Sequence, residues 1–111
     1  MQLKERQHDN AVILEMAGEL HGGPDTHNFK DKLKQLLDLG KKNFVIDLRK
    51  VTYVNSSGIG MLVTGMTTVT QAGGKFKLAN AEKNIHNVFV ITNLIKVFDT
   101  YESVPDAIRS F

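Results

Sequence analysis

One stretch decides the fold of this chain: residues 44–60, which read FVIDLRKVTYVNSSGIG from Phe44 to Gly60. The stretch opens with a run rich in β-branched and aromatic residues and passes through a second apolar run at Val51 to Val54. It then breaks at a polar turn, after which apolar residues recur at helical spacing. The pattern predicts a strand, a tight turn and the N-terminus of a helix.

Two hydroxyl groups, those of Ser56 and Ser57, lie where this helix is predicted to begin. The backbone N–H groups of a first helical turn have no partner within the helix and carry the positive end of its dipole. The position therefore favours a capping side chain, a bound anion or a phosphate attached to a serine. Asn55, Ser56 and Ser57 are all able to provide the cap.

The composition indicates one ordinary globular domain spanning residues 1–111. The 14 basic and 12 acidic side chains are spread along the chain, so we expect no direct binding of nucleic acid. The absence of cysteine excludes disulfides and thiolate metal sites. The N-terminus lacks the apolar core of a signal peptide, and no segment is apolar enough for membrane insertion. We therefore expect a cytoplasmic protein without a metal or cofactor.

Before the central stretch, the sequence predicts a β-hairpin and a helix. Residues 3–8 and 11–18 flank Asp9-Asn10, a pair suited to a tight turn, and the second of these strands is apolar on both faces. Asp25 is the expected cap of the helix, and Gly40 its stop. The apolar positions that place one face of this helix against a core are Phe29, Leu33, Leu36 and Leu37.

After the central helix, strands and helices alternate. We predict a strand at Lys75 to Ala79, a helix from Ala81 to Thr92 capped by Asn80, and a strand at Leu94 to Phe98. Ser103 and Asp106 resemble a capping box at the start of a last helix. The order predicts an α/β fold with a mixed, mostly parallel sheet of about five strands and about four helices packed on it.

The central helix has an unusual composition, because no charged residue occurs from Val51 to Gly74. We expect its apolar stripe to pack on the sheet: Ile59, Leu62, Val63, Met66 and Val69. A second set, on the side away from the stripe, forms an uncharged face of small residues: Met61, Thr64, Gly65 and Thr68. Such a face indicates docking of a partner protein, or else it is covered by another segment of the same chain.

Catalytic and metal-binding interpretations have less support. The nucleophile elbow of hydrolases requires Gly-x-Ser-x-Gly, which is absent, and nothing in the sequence places a histidine beside Ser56 or Ser57. His21, Asp25 and His27 share one loop, but their spacing matches no established metal site. The Gly-Gly pairs are better explained as turns than as phosphate-binding loops.

Three segments resemble the STAS domain family. Residues 45–62 are similar to its signature, in which a hydrophobic strand is followed by Asp-Ser-Ser-Gly or Asp-Ser-Ala-Gly and a helix beginning Leu-Gly. Gly18-Glu-Leu resembles the end of the family's early strand, and residues 93–107 resemble its C-terminal strand and helix. The resemblance covers nearly the whole chain in the right order and implies a single STAS-like domain.

The resemblance also implies a function. Free-standing members of this size are mostly anti-sigma factor antagonists, which are not enzymes. They bind an anti-sigma factor that is also a serine kinase, are switched off when it phosphorylates the first serine of the motif, and are restored by a phosphoserine phosphatase. By position that serine is Ser56. The implied partner-binding residues surround it and continue along the helix: Asn55, Ser57, Gly58, Met61, Thr64, Gly65 and Thr68.

The chain departs from the family pattern at Asn55, which stands where the family usually has Asp. The loop after Leu20 is also longer than the common link into the helix. Two other roles for a STAS domain do not require phosphorylation: a scaffold in a signalling assembly, or an accessory subunit of a membrane transport complex. A serine hydrolase is the alternative from a different class.

Overall fold

The five strands of the sheet lie side by side in the order in which they occur along the chain. The computed structural model describes residues 1–111. The strands are β1 (Gln2–His8), β2 (Ala11–Leu20), β3 (Asn43–Val54), β4 (Lys75–Ala79) and β5 (Asp99–Tyr101). The helices are α1 (Pro24–Asp38), α2 (Ser56–Gln71), α3 (Lys83–Ile91) and α4 (Val104–Arg109). β1 pairs with β2 antiparallel and all other pairs are parallel, which confirms the predicted mixed sheet.

Both faces of the sheet are covered, but unequally. The large core lies between one face and helices α1, α2 and α3, and it includes Leu14 of β2 and Phe89 of α3. A smaller cluster on the other face includes Ile13 and joins the sheet to Val104 and Ala107 of α4. Because successive strand residues point to opposite faces, β2 needs apolar residues at consecutive positions, as its sequence predicts.

The central stretch folds as predicted. Its two apolar runs lie in one strand of 12 residues, β3. The pairing of β2 with β3 shifts register between Glu15 and Ala17 and again between Gly18 and Glu19. These irregularities let the long strand continue to Val54, so the turn that follows lies at the carboxyl edge of the sheet.

One predicted strand is wrong. Leu94–Lys96 forms a turn of 3₁₀-helix, and the last strand begins only at Asp99. Asn93 adopts a left-handed conformation with φ 62° and ends the preceding helix, so the chain turns before it can extend. A short apolar run is compatible with either structure, because its periodicity cannot distinguish them.

Two predicted caps are also wrong. α1 follows Gly23, and the Asp25 carboxylate instead lies 3.4 Å from the amino group of Met1. α3 is capped by Glu82, because Asn80 is left-handed and donates its amide to Asp47.

The predicted cap of α4 is confirmed in part. The Ser103 hydroxyl accepts a hydrogen bond from the N–H of Asp106, as expected. The Asp106 carboxylate, however, pairs with Arg109 and does not reach back toward the cap.

Candidate functional site

The turn between β3 and α2 is closed by the side chain of Asn55. This residue is extended, and its Oδ1 accepts a hydrogen bond from the backbone N–H of Gly58 at 2.8 Å. Asn55 is therefore the N-cap of α2, one of the three candidates that the sequence offered. Ser56 and Ser57 are exposed, and neither hydroxyl has a hydrogen-bond partner within the chain.

The loop after β2 packs directly under this turn. The backbone N–H of Asn55 donates to the carbonyl oxygen of Leu20 at 3.2 Å. A Cβ atom on Gly58 would lie 2.0 Å from the same oxygen, and one on Gly22, which has φ +77°, would lie 2.6 Å from the carbonyl oxygen of Ser57. The backbones approach so closely that only glycine fits at both positions, which fixes the place of the two serines.

A polar network extends the turn to the end of β2. The amide of Asn55 lies 3.3 Å from Nδ1 of His21, whose Nε2 lies 2.9 Å from the Glu19 carboxylate. These partners fit a ring that accepts at Nδ1 and donates from Nε2. The ring also lies 5.2 Å from that of Tyr53, centroid to centroid. The network fixes the orientation of the Asn55 side chain, which caps α2.

Sequence reasoning missed Glu19, His21 and Tyr53 as parts of the site. The parallel register pairs Glu19 with Tyr53, although they are far apart in the chain. No local pattern reveals such a pairing, because it depends on how β2 and β3 align.

The predicted partner-binding face of α2 requires a correction. Met61 is fully buried, and Gly65 is buried against α1, since its Cβ would lie 2.4 Å from Cε2 of Phe29. Thr64 and Thr68 are half-buried and line an open groove between α1 and α2. The alternative that another segment covers this face is therefore correct for its innermost part.

The exposed side of α2 nevertheless remains uncharged. We call it the α2 surface, and define it by four residues at helical spacing that are exposed or half-buried: Ser56, Gly60, Val63 and Thr67. It runs from the turn along the helix beside the half-buried Thr64 and Thr68. A free hydroxyl thus lies at one end of an uncharged strip, where a soluble monomer usually carries lysine and glutamate.

The other candidate sites are not assembled. His21, Asp25 and His27 have separate partners, respectively Asn55 and Glu19, the Met1 amino group, and Asp31. No histidine is hydrogen-bonded to Ser56 or Ser57, so the nucleophile and base of a serine hydrolase are not in contact. None of the helices has the length and apolar character needed to cross a bilayer.

Comparison with known proteins gives a consistent result. The family model of the STAS domain matches residues 2–107. The anti-sigma-B factor antagonist of Bacillus subtilis is 30% identical over 97 residues, which are 85% of this chain and 84% of that protein.

Two solved structures share the fold. A putative anti-sigma factor antagonist from Thermotoga maritima superimposes with a TM-score of 0.85 at 24% identity, covering 97% of this chain and 92% of that one. The Bacillus cell fate determinant SpoIIAA in its phosphorylated form gives 0.72 at 16% identity, covering 99% and 100%. With a family match over nearly its whole length and the strand, turn and helix of the signature in place, the chain belongs to the STAS domain family.

Proposed function

We propose that this protein is an anti-sigma factor antagonist whose binding is switched by phosphorylation of Ser56. Its partner is an anti-sigma factor with serine kinase activity, which docks on the turn at Asn55–Gly58 and on the α2 surface. The observation that carries the proposal is that Asn55 caps the helix. The Ser56 hydroxyl is thereby left exposed, without a partner, at the end of an uncharged strip.

The local electrostatics favour a phosphate at this position. A phosphoserine adds up to about two negative charges and three acceptor oxygens. At the first residue of α2 these lie at the positive end of the helix dipole, near N–H groups that lack intrahelical partners. The fold therefore tolerates the phosphate, and the modification affects the binding of the partner. An uncharged docking surface would acquire a charge that the partner must desolvate without a matching cation.

Asn55 modifies the switch in a defined way. An aspartate at this position would add a carboxylate beside the phosphoserine, and like charges repel. The neutral amide keeps the cap without this repulsion. We infer that the phosphorylated form is electrostatically better tolerated here than it would be with aspartate at this position.

The relatives support the class of partner. The Bacillus subtilis relative is named an antagonist of an anti-sigma factor, and SpoIIAA, which shares the fold, has been solved in a phosphorylated form. We assign the modified serine to Ser56 because it is the first serine of the motif that resembles the family signature.

The decisive experiment is a calorimetric titration of a kinase-type anti-sigma factor from the same organism. We expect Ser56→Ala to bind like the wild type and Ser56→Asp to bind at least about tenfold more weakly, a difference of roughly 1.4 kcal/mol. Asn87→Asp is a matched control, because it adds the same charge at an exposed position of α3. Mass spectrometry after incubation with the kinase and ATP should find phosphate on Ser56 and none on the Ser56→Ala variant.

Two outcomes would contradict the switch. If Ser56→Asp and Ser56→Ala bind equally well, the protein is a phosphorylation-independent STAS scaffold or accessory subunit. If phosphate is found only on Ser57, the site has been assigned to the wrong hydroxyl.

A further inference from the structure

A second site lies on the α4 face of the sheet, away from the α2 surface. A cavity of about 510 Å³ opens between the β1–β2 hairpin and α4. Its apolar wall consists of Ile13, Val104 and Ile108, and its polar residues come from β1, β2, β3 and α4. α4 has only 6 residues, and the cavity lies between it and the hairpin.

The carboxylate of Asp47 faces this cavity. The residue is only 2% exposed, and its Oδ1 accepts two hydrogen bonds, from the N–H of Arg49 and from the amide of Asn80, both at 3.1 Å. Its Oδ2 accepts no hydrogen bond and forms only a long ion pair, 3.9 Å, with the Arg6 guanidinium. Every buried side-chain oxygen or nitrogen in the protein has a hydrogen-bond partner. Because Oδ2 of Asp47 has none, it is accessible to solvent, and it faces the cavity that Asp47 lines.

The Arg49 guanidinium is the complementary group. Arg49 lines the cavity, and its side chain has neither an ion-pair partner nor a hydrogen bond within the chain. Glu15 lies within electrostatic reach of Arg49 but pairs directly with Lys50 at 3.0 Å, and Arg109 pairs with Asp106. The cavity thus offers Oδ2 of Asp47 as an accessible acceptor and the exposed Arg49 guanidinium as a cationic donor.

The charge balance restricts the ligand. The lining residues and their ion-pair partners carry formal charges that cancel: positive on Arg6, Arg49, Lys50 and Arg109, and negative on Asp9, Glu15, Asp47 and Asp106. A polyanion would be repelled by the carboxylates, and a divalent cation would be repelled by the guanidinium groups. A neutral molecule with separated charges avoids both repulsions.

We propose that the cavity binds a small zwitterion with an apolar body, of the class of the aliphatic L-amino acids. The ammonium group donates to Oδ2 of Asp47, the carboxylate accepts from the guanidinium of Arg49, and the side chain packs on Ile13 and Val104. Two hydrogen bonds already hold the Asp47 carboxylate in place, so the ligand gains a charge-assisted hydrogen bond to a pre-positioned acceptor. The 3.9 Å contact with Arg6 that it displaces is longer than a hydrogen bond.

The test is an NMR titration of the ¹⁵N-labelled protein with L-leucine. We expect saturable shifts at millimolar concentrations for the backbone amide of Arg49 and the side-chain amide of Asn80. Two analogues each lack one charge: 4-methylpentanoate has no ammonium group and 3-methylbutylamine has no carboxylate. Each should bind at least about tenfold more weakly than leucine, since a charge-assisted hydrogen bond is lost.

Variants separate binding from folding. Arg49→Gln removes an exposed guanidinium and should weaken leucine binding roughly tenfold with an unchanged spectrum elsewhere. Lys83→Gln, on the exposed side of α3, should leave the affinity unchanged. The proposal is overturned if leucine gives no saturable shifts, if either analogue binds as tightly, or if Arg49→Gln binds like the wild type. None of these outcomes bears on Ser56, whose role is measured by partner binding.

Discussion

Oδ1 of Asn55 lies 2.8 Å from the backbone nitrogen of Gly58, and this hydrogen bond decides what the two serines between them are able to do. In many helices a serine at the start of the first turn is committed to capping. Here the preceding residue provides the cap, and the hydroxyls of Ser56 and Ser57 remain exposed. A kinase that uses this turn thus meets a hydroxyl that is not engaged in holding the helix.

Removing the cap should destabilise the protein without unfolding it. We expect Asn55→Ala to lower the free energy of unfolding by about 1 kcal/mol, because the N–H of Gly58 loses its acceptor. Asn55→Asp should cost less than Asn55→Ala, since aspartate keeps the cap and loses only the amide contact with Nδ1 of His21. Urea denaturation followed by circular dichroism measures both. Equal stability of Asn55→Ala and the wild type would mean that a serine takes over the cap.

Two glycines of α2 should respond to alanine in opposite directions. At Gly58 the added Cβ would lie 2.0 Å from the carbonyl oxygen of Leu20, a backbone atom that cannot rotate away. At Gly60 the added Cβ meets nothing within 4 Å. We expect Gly58→Ala to cost about 3 kcal/mol or more, and Gly60→Ala to stabilise the helix by roughly 0.5 to 1 kcal/mol. Thermal unfolding of both variants, which differ only in position, gives the comparison. A similar effect at the two positions would contradict the close approach of the β2–α1 loop.

The sequence predicts the order of the elements well, because β-branched runs, turn pairs and apolar stripes are local signals. It therefore identified the hairpin at Asp9, the strand ending at Val54 and the turn that carries Ser56. The sequence-based prediction failed where the burial of a residue depends on long-range packing. Thr64 and Gly65 are neighbours in an uncharged helix, but Gly65 is buried against Phe29 of α1 whereas Thr64 is half-buried.

The same limit explains the missed part of the site. His21 contacts Asn55 because β2 and β3 are parallel in one particular register. The sequence does show a histidine in a glycine-rich loop, but nothing in that loop indicates what it contacts.

Acid should weaken the attachment of β1 to α1. The hydrogen bond from the Lys32 ammonium to Glu5, 2.7 Å long, lowers the pKa of the Glu5 carboxyl below its usual range. Because the pKa is depressed in the folded state, the contribution to stability is complete above the ordinary glutamate pKa, about 4.3. It is lost as the pH falls through the lower folded value.

The variant Lys32→Met tests this dependence. The variant lacks the ammonium group, so its free energy of unfolding should decrease less than that of the wild type between about pH 5 and pH 3. Chemical denaturation at several pH values measures the effect, and Lys34→Met, on the same helix without an ion pair, is the matched control. An identical pH dependence in Lys32→Met and the wild type would show that the pair does not form in solution.

A last prediction concerns Lys77, a nearly buried lysine under α4. Burial disfavours its ammonium group, but hydrogen bonds to Asp99 at 2.9 Å and to the Tyr101 hydroxyl at 3.1 Å outweigh that effect and raise the pKa of Lys77. The contribution to stability is therefore complete below the ordinary lysine pKa and is lost as the pH rises through the higher folded value.

The variant Asp99→Asn keeps the burial and removes the anion. It should lower the pKa of Lys77 and cost about 1 kcal/mol near neutral pH. Carbon NMR of the lysine Cε resonances reads the titration of Lys77 directly in both proteins. An unchanged titration of Lys77 would mean that the aromatic rings of Tyr101 and Phe111, each 5.0 Å from the ammonium, are sufficient to hold its charge.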